Sequence, residues 1–256
     1  MPAIAVASGV SPASRGSFLA KPGPWVDLGL TLPVFLVYHF GVVFLHLRNG
    51  TDLLTGPLMQ LAEGNRGMYL LITAAIGVVF AGVFAILGRG QVFRPAKFAQ
   101  IAIEGIVYAV VMRLGAAYVV GNIFAGGIKD EGGPVGGVVQ SCGAGFYEEL
   151  AFRVVLFGLG AKALVWLLGH QKLGVVAGTA SRLSLRSMLI MLGWCIVVAG
   201  VFSGVHYIGS YGDVFKLTTF TFRFVLGVIL TLIYATRGFA AAVWAHMLYD
   251  VWVIVL

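Results

Sequence analysis

The sequence predicts an all-α protein, a polytopic transmembrane helix bundle of about seven spans (six to eight), and three observations carry that prediction. Apolar residues make up 59% of the 256 residues and charged residues 11%, where a soluble globular domain carries roughly a quarter. Mean hydropathy is +0.96. Apolar stretches of about 20 residues recur between polar or Gly/Pro punctuation, the length an α-helix needs to cross a bilayer. The net charge of +7 is the expected surplus of Lys and Arg in cytoplasmic loops. The expected partner is therefore the lipid bilayer and not nucleic acid.

Residues 1–24 form a Pro/Ser/Ala-rich stretch whose charges are Arg15 and Lys21, read as a flexible cytoplasmic arm without the basic-then-apolar pattern of a cleaved signal. Residues 25–256 are read as a single transmembrane domain. Spans are expected near Trp25–Leu47, Gly67–Leu87, Phe98–Val120, Val138–Leu168, Ser187–Ile208, Leu217–Thr236 and Gly238–Leu256. The fourth is too long for one upright crossing and is expected to tilt, bend or surface near Lys162. Ten cations outside the spans fall on one side: Arg15, Lys21, Arg89, Arg94, Lys97, Lys162, Lys172, Arg182, Arg186 and Arg237. Arg48, Arg66, Lys129 and Lys216 fall on the other. The positive-inside rule then puts the amino terminus in the cytoplasm, in a multi-pass protein of the cell (inner) membrane.

Cys142 and Cys195 lie in apolar stretches without CxxC spacing and read as small core residues. Ionisable residues inside a bilayer are costly, about 2.5–3.5 kcal/mol on insertion scales, and so are functional candidates with partners to be named. Glu104, Arg113 and Arg223 read as residues that pair with another helix or snorkel. His39 and His46, two turns apart on the first span, read as packed or interfacial, and His170 as a loop residue.

The informative residues fall on three spans. In Phe146-Tyr-Glu-Glu-Leu-Ala-Phe-Arg153, Glu149 and Arg153 are four apart with the acid on the amino-terminal side, the favourable orientation for an ion pair along one helix face. That leaves Glu148 without Arg153, a carboxylate about 15 Å into its helix and suited to shuttling a proton. His246 and Asp250 are again four apart, so the carboxylate can orient the imidazole. Phe202 stands one turn before His206 and can wall in its ring.

Together these residues resemble the motifs of the CPBP intramembrane proteases, the CAAX-processing and bacteriocin-associated proteins also called the Abi family and related to the type II CAAX prenyl endopeptidases. The family pattern is EExxxR, FxxxH and HxxxN or HxxxD, each on its own helix. This chain has Glu148-Glu149-Leu-Ala-Phe-Arg153, Phe202-Ser-Gly-Val-His206 and His246-Met-Leu-Tyr-Asp250, in that order. The resemblance covers a catalytic core at about 138–256. It implies an intramembrane endopeptidase that hydrolyses a peptide bond of a membrane-associated or secreted precursor. Glu148 would be the general base, His206 would lie beside it, and His246 with Asp250 would stabilise the oxyanion, with Glu149, Arg153 and Phe202 in support.

The prenyl-protein endopeptidases of the family typically carry Asn at the last position. An ionised Asp250 cannot donate to an oxyanion, so it is protonated, orients His246 or ligates a metal. No tightly bound cofactor is expected. Zinc is the alternative, held by Glu148, His206, His246 and Asp250.

Competing readings are a non-catalytic immunity or scaffold protein and a proton-coupled transporter built on the same buried acids and histidines. A rhomboid-type serine protease is disfavoured because Ser203 lacks the Gly-x-Ser-Gly context. A presenilin-type aspartyl protease is disfavoured because Gly212-Asp213 falls in a loop.

Overall fold

The computed structural model describes residues 23–87, 95–121, 133–171, 173, 183–209 and 212–256, and every regular element among them is helical. Most of the arm expected over 1–24 lies outside these residues. So do Arg15, Lys21, Arg89, Arg94, Lys129, Lys172 and Arg182, cations on which the expected orientation rests. The protein is a multi-pass helical bundle. Six described helical segments are long and apolar enough to cross a membrane, and a seventh apolar helix is shorter.

The first span is interrupted. Helices α1 (Pro24–Gly29) and α2 (Leu32–Leu45) form one 22-residue apolar segment with a turn at Leu30 and Thr31. Pro33, which has no N–H to continue the ladder, follows that turn, and Thr31 Oγ1 donates to Leu28 O at 2.7 Å. A short helix, α3 (Thr55–Leu61), then precedes α4 (Arg66–Leu87) and α5 (Ala96–Val120). α4 and α5 carry many exposed apolar side chains, among them Val78, Val79, Ile103 and Tyr118, the surface a bilayer covers.

The fourth span is the helix α6, Gly133–Gly169, 37 residues long. As an α-helix it would measure about 56 Å, nearly twice the hydrocarbon core. It does not break near Lys162. Its backbone is π-helical over Ala144–Glu148 and Leu150–Leu159, where i→i+5 bonding widens the turn and shortens the rise. Next come α7 (Leu185–Val205), whose first turn is capped by Ser184 Oγ accepting from the Ser187 N–H, and α8 (Leu217–Arg237).

The last helix, α9 (Phe239–Ile254), has 16 residues and is the centre of the bundle. It packs on α5, α6 and α8, and Ala240, Ala241, Ala242 and Ala245 are all buried, so its neighbours approach closely. On α6 the closest approach is at Gly145: a Cβ there would lie 2.9 Å from both Val243 O and Met247 Cβ. Only glycine fits against that backbone.

Buried Asp27 of α1 reaches across the bundle to the start of α9. Its Oδ2 accepts from the Phe239 N–H at 2.5 Å and its Oδ1 from the Ala240 N–H at 3.1 Å. A helix amino terminus inside an apolar bundle has no water for its free N–H groups, and this carboxylate satisfies two of them and complements the helix dipole. Glu104 of α5 likewise finds Arg237 at the end of α8, at 2.7 and 3.0 Å. The Arg113 guanidinium lies 4.6 Å from the Trp252 ring centre. Cys142 and Cys195 are buried and free.

Replacing Asp27 by Ala is expected to lower stability by about 1–2 kcal/mol, the size of a lost helix cap. Asp27→Asn, which keeps one acceptor, is expected to lose less. Denaturant unfolding of the detergent-solubilised protein measures both, and an unchanged midpoint for Asp27→Ala would contradict this capping role.

Candidate active site

The site is built on the π-helical part of α6, where Glu148 and Glu149 follow one another and point to different partners. Glu149 is completely buried. Its Oε1 lies 3.0 Å from Arg153 Nη1, four residues on, and accepts from His246 Nδ1 at 2.7 Å. An ionised carboxylate can only accept, so His246 donates through Nδ1 and its Nε2 is turned toward Asp250, whose Oδ2 is 3.6 Å away. The sequence suggested that Asp250 would orient His246. In the structure the nearer carboxylate is Glu149, so one acid holds both the arginine of its own helix and the histidine of α9.

Arg153 is also fully buried. Beyond the ion pair, its nitrogens have no hydrogen-bond partner among the described residues. Its guanidinium also lies against aromatic rings, with Cζ 4.3 Å from the centre of Phe202 and 6.0 Å from that of Phe152. A desolvated cation on an aromatic face gains about 2 kcal/mol, part of what its burial costs. Phe202 touches more than Arg153: its ring centre is 5.2 Å from that of His206 and 6.0 Å from that of His246. One phenyl ring thus contacts the buried cation and both imidazoles.

His206 ends α7. Its Nδ1 lies 2.8 Å from the Phe202 carbonyl oxygen, which can only accept. Nδ1 therefore carries a proton, and in the neutral ring Nε2 is left as an acceptor. The chain then loops back, with the Asp213 N–H donating to His206 O at 2.9 Å and Arg223 Nη2 donating to Asp213 Oδ2 at 2.5 Å. Glu148 is half-buried and acts electrostatically on His206, His246 and Asp250, so the residues of the three motifs share one electrostatic environment.

Two findings were not anticipated in the sequence. Glu148 has a partner: Asn49, in the loop after α2, donates from Nδ2 to Glu148 Oε1 at 3.2 Å. An Asn in a polar loop carries no pattern that would single it out. His39 is buried in a polar cluster beside the site, with Nδ1 2.7 Å from Tyr69 Oη and Nε2 2.5 Å from Tyr147 Oη. The packed reading suits it, and Tyr147 immediately precedes Glu148. His46 is exposed and pairs with Arg66.

Among the described residues, no three His, Cys, Asp or Glu side chains are arranged to hold a metal ion. His246 Nδ1 is committed to Glu149 and His206 Nδ1 to a carbonyl, which leaves one nitrogen of each ring as a possible ligand.

Residues 132–252, which hold all three motifs, match the family model described as type II CAAX prenyl endopeptidase Rce1-like. No curated protein and no solved structure matches the chain.

Arg153→Ala strands a buried carboxylate and is expected to cost about 3–5 kcal/mol of stability, the usual result of removing one partner of a buried pair. The double variant Glu149→Gln with Arg153→Met removes both charges and is expected to recover a large part of the loss. Equal midpoints for Arg153→Ala and the wild type in denaturant titration would contradict the pairing.

Proposed function

We propose that this chain, which matches the Rce1-like type II CAAX prenyl endopeptidase family model over residues 132–252, is an intramembrane endopeptidase. Its substrate is a membrane-associated or secreted peptide or protein precursor, cleaved by water that Glu148 activates. The observation that carries this reading is the division of labour between the adjacent acids. Glu149 is engaged by Arg153 and His246, while among the described residues Glu148 accepts from the Asn49 amide and keeps acceptor capacity for a proton.

Water bound between Glu148 and the acceptor Nε2 of His206 attacks the scissile carbonyl carbon, and one of its protons passes to Glu148. The new C–O bond leaves a tetrahedral oxyanion. His246, doubly protonated, keeps its Nδ1–H on Glu149 and offers Nε2–H to that oxyanion, beside Asp250. The proton on Glu148 then moves to the leaving nitrogen as the C–N bond breaks, which gives a carboxylic acid and an amine, and the acid passes its remaining proton to the amine, leaving a carboxylate and an ammonium. Arg153 and Phe202 touch no reacting atom in this scheme. They fix Glu149 and the two rings.

Three measurements test the reading. Glu148→Gln matches the wild-type side chain in size but cannot take a proton, and is expected to lower cleavage by about 10²–10⁴-fold in an intact fold. Mass spectrometry of membrane peptides from cells expressing either form would show the product with the wild type alone, and equal product would contradict the glutamate base. Asp250→Asn is expected to keep much of the activity, because Asn donates and accepts. Purified protein is expected to tolerate a strong chelator, and loss of cleavage with recovery on stoichiometric zinc would replace this mechanism with a metal-assisted one.

A further inference from the structure

The loop between α2 and α3 is more ordered than a connection needs to be, and its hydrogen bonds converge on Asn49. Asp52, 1% exposed, anchors the loop. Its Oδ2 accepts from Tyr38 Oη at 2.8 Å, and its Oδ1 accepts from the Leu54 and Thr55 N–H groups at 2.8 and 2.9 Å. Burial opposes the charge, but the hydrogen bonds from Thr55, Tyr38 and Leu54 outweigh it and hold the Asp52 carboxyl below its ordinary range. Tyr38 Oη in turn accepts the Asn49 N–H at 2.9 Å. The backbone of Asn49 is thereby fixed to α2.

Its side chain is fixed as well. Asn49 Oδ1 accepts from the Thr51 N–H at 2.9 Å and from Thr51 Oγ1 at 2.5 Å, which uses both lone pairs. The amide is therefore oriented, with its NH₂ toward Glu148 Oε1. Gly143 of α6 lets the loop come this close, since a Cβ there would lie 3.1 Å from Asn49 Cβ and would collide with the Tyr38 ring. The donor thus reaches the carboxylate from outside the segment that matches the family model.

We infer that Asn49 is a positioning residue for Glu148: its oriented amide holds Oε1 and leaves Oε2 to meet the attacking water. This rests on the reading of Glu148 as general base. A carboxylate bound through one oxygen to a fixed donor loses a torsional freedom it would otherwise have to freeze during the reaction, and misplacement of a reacting group by about 1 Å can cost on the order of 10²-fold.

Asn49→Asp is the sharp test, because it keeps an oxygen for Thr51 while replacing the donor facing Glu148 with a second acceptor. Asn49→Ala serves as a companion that adds no charge. The infrared difference spectrum between the wild type and Glu148→Gln isolates the Glu148 carboxylate band without any substrate, and both Asn49 variants are expected to displace it. With an internally quenched farnesylated CAAX-type peptide as probe, kcat is expected to fall about 10- to 100-fold in both variants while KM stays within about twofold. A loop that held substrate or merely supported the fold would move KM or the unfolding midpoint instead, and that result would overturn the inference. So would an unmoved carboxylate band. If Glu148→Gln is inactive and both Asn49 variants cleave at the wild-type rate, the inference fails alone. If Glu148→Gln cleaves normally, the general-base reading fails and takes the inference with it. Should the wild type leave the probe uncut, the infrared comparison decides.

Discussion

A single oxygen atom, Glu149 Oε1, joins the two helices on which the site depends. It faces Arg153 within α6 and His246 on α9, in an interior where an isolated carboxylate would not remain ionised. The rest of the arrangement follows from placing that charge there. Arg153 must be buried to neutralise it, Phe202 covers Arg153, and Phe202 in turn packs against both imidazoles. Gly145 is the steric condition for all of this, since a larger residue would hold α6 away from the α9 backbone.

The same logic recurs wherever the bundle buries a charge. Asp27 is satisfied by two backbone donors, Glu104 by a guanidinium and Asp52 by a turn and a tyrosine. In each case the partner comes from a different part of the chain or from a loop folded back on itself. Polar groups in a bilayer are thus the points at which tertiary structure is specified, because apolar helix faces pack about equally well in several rotations.

What could be read from sequence divides along that line. The spans were legible because twenty apolar residues have one physical meaning, and the Glu149–Arg153 pair because it is a property of a single helix. Contacts between helices were not. Nothing in the order of residues says that Glu149 also takes His246, that Asp27 caps a helix more than two hundred positions away, or that Asn49 finds Glu148. The π-helical winding was hidden too. The length of the fourth span signalled that an upright α-helix would not fit, with tilting, bending or surfacing as the expected remedies, and nothing in the residue order marks where the winding widens over Ala144–Glu148 and Leu150–Leu159.

The 16 described residues of the last helix, α9, extend about 24 Å at 1.5 Å per residue, against a hydrocarbon core of about 30 Å. For a helix in contact with lipid, that hydrophobic mismatch would thin the membrane or tilt its neighbours. Most of α9 is instead sheathed by α5, α6 and α8, with nine of its residues buried. Changes in acyl-chain length therefore act first on the outward faces of α4 and α5, while His246 keeps its depth relative to Glu149.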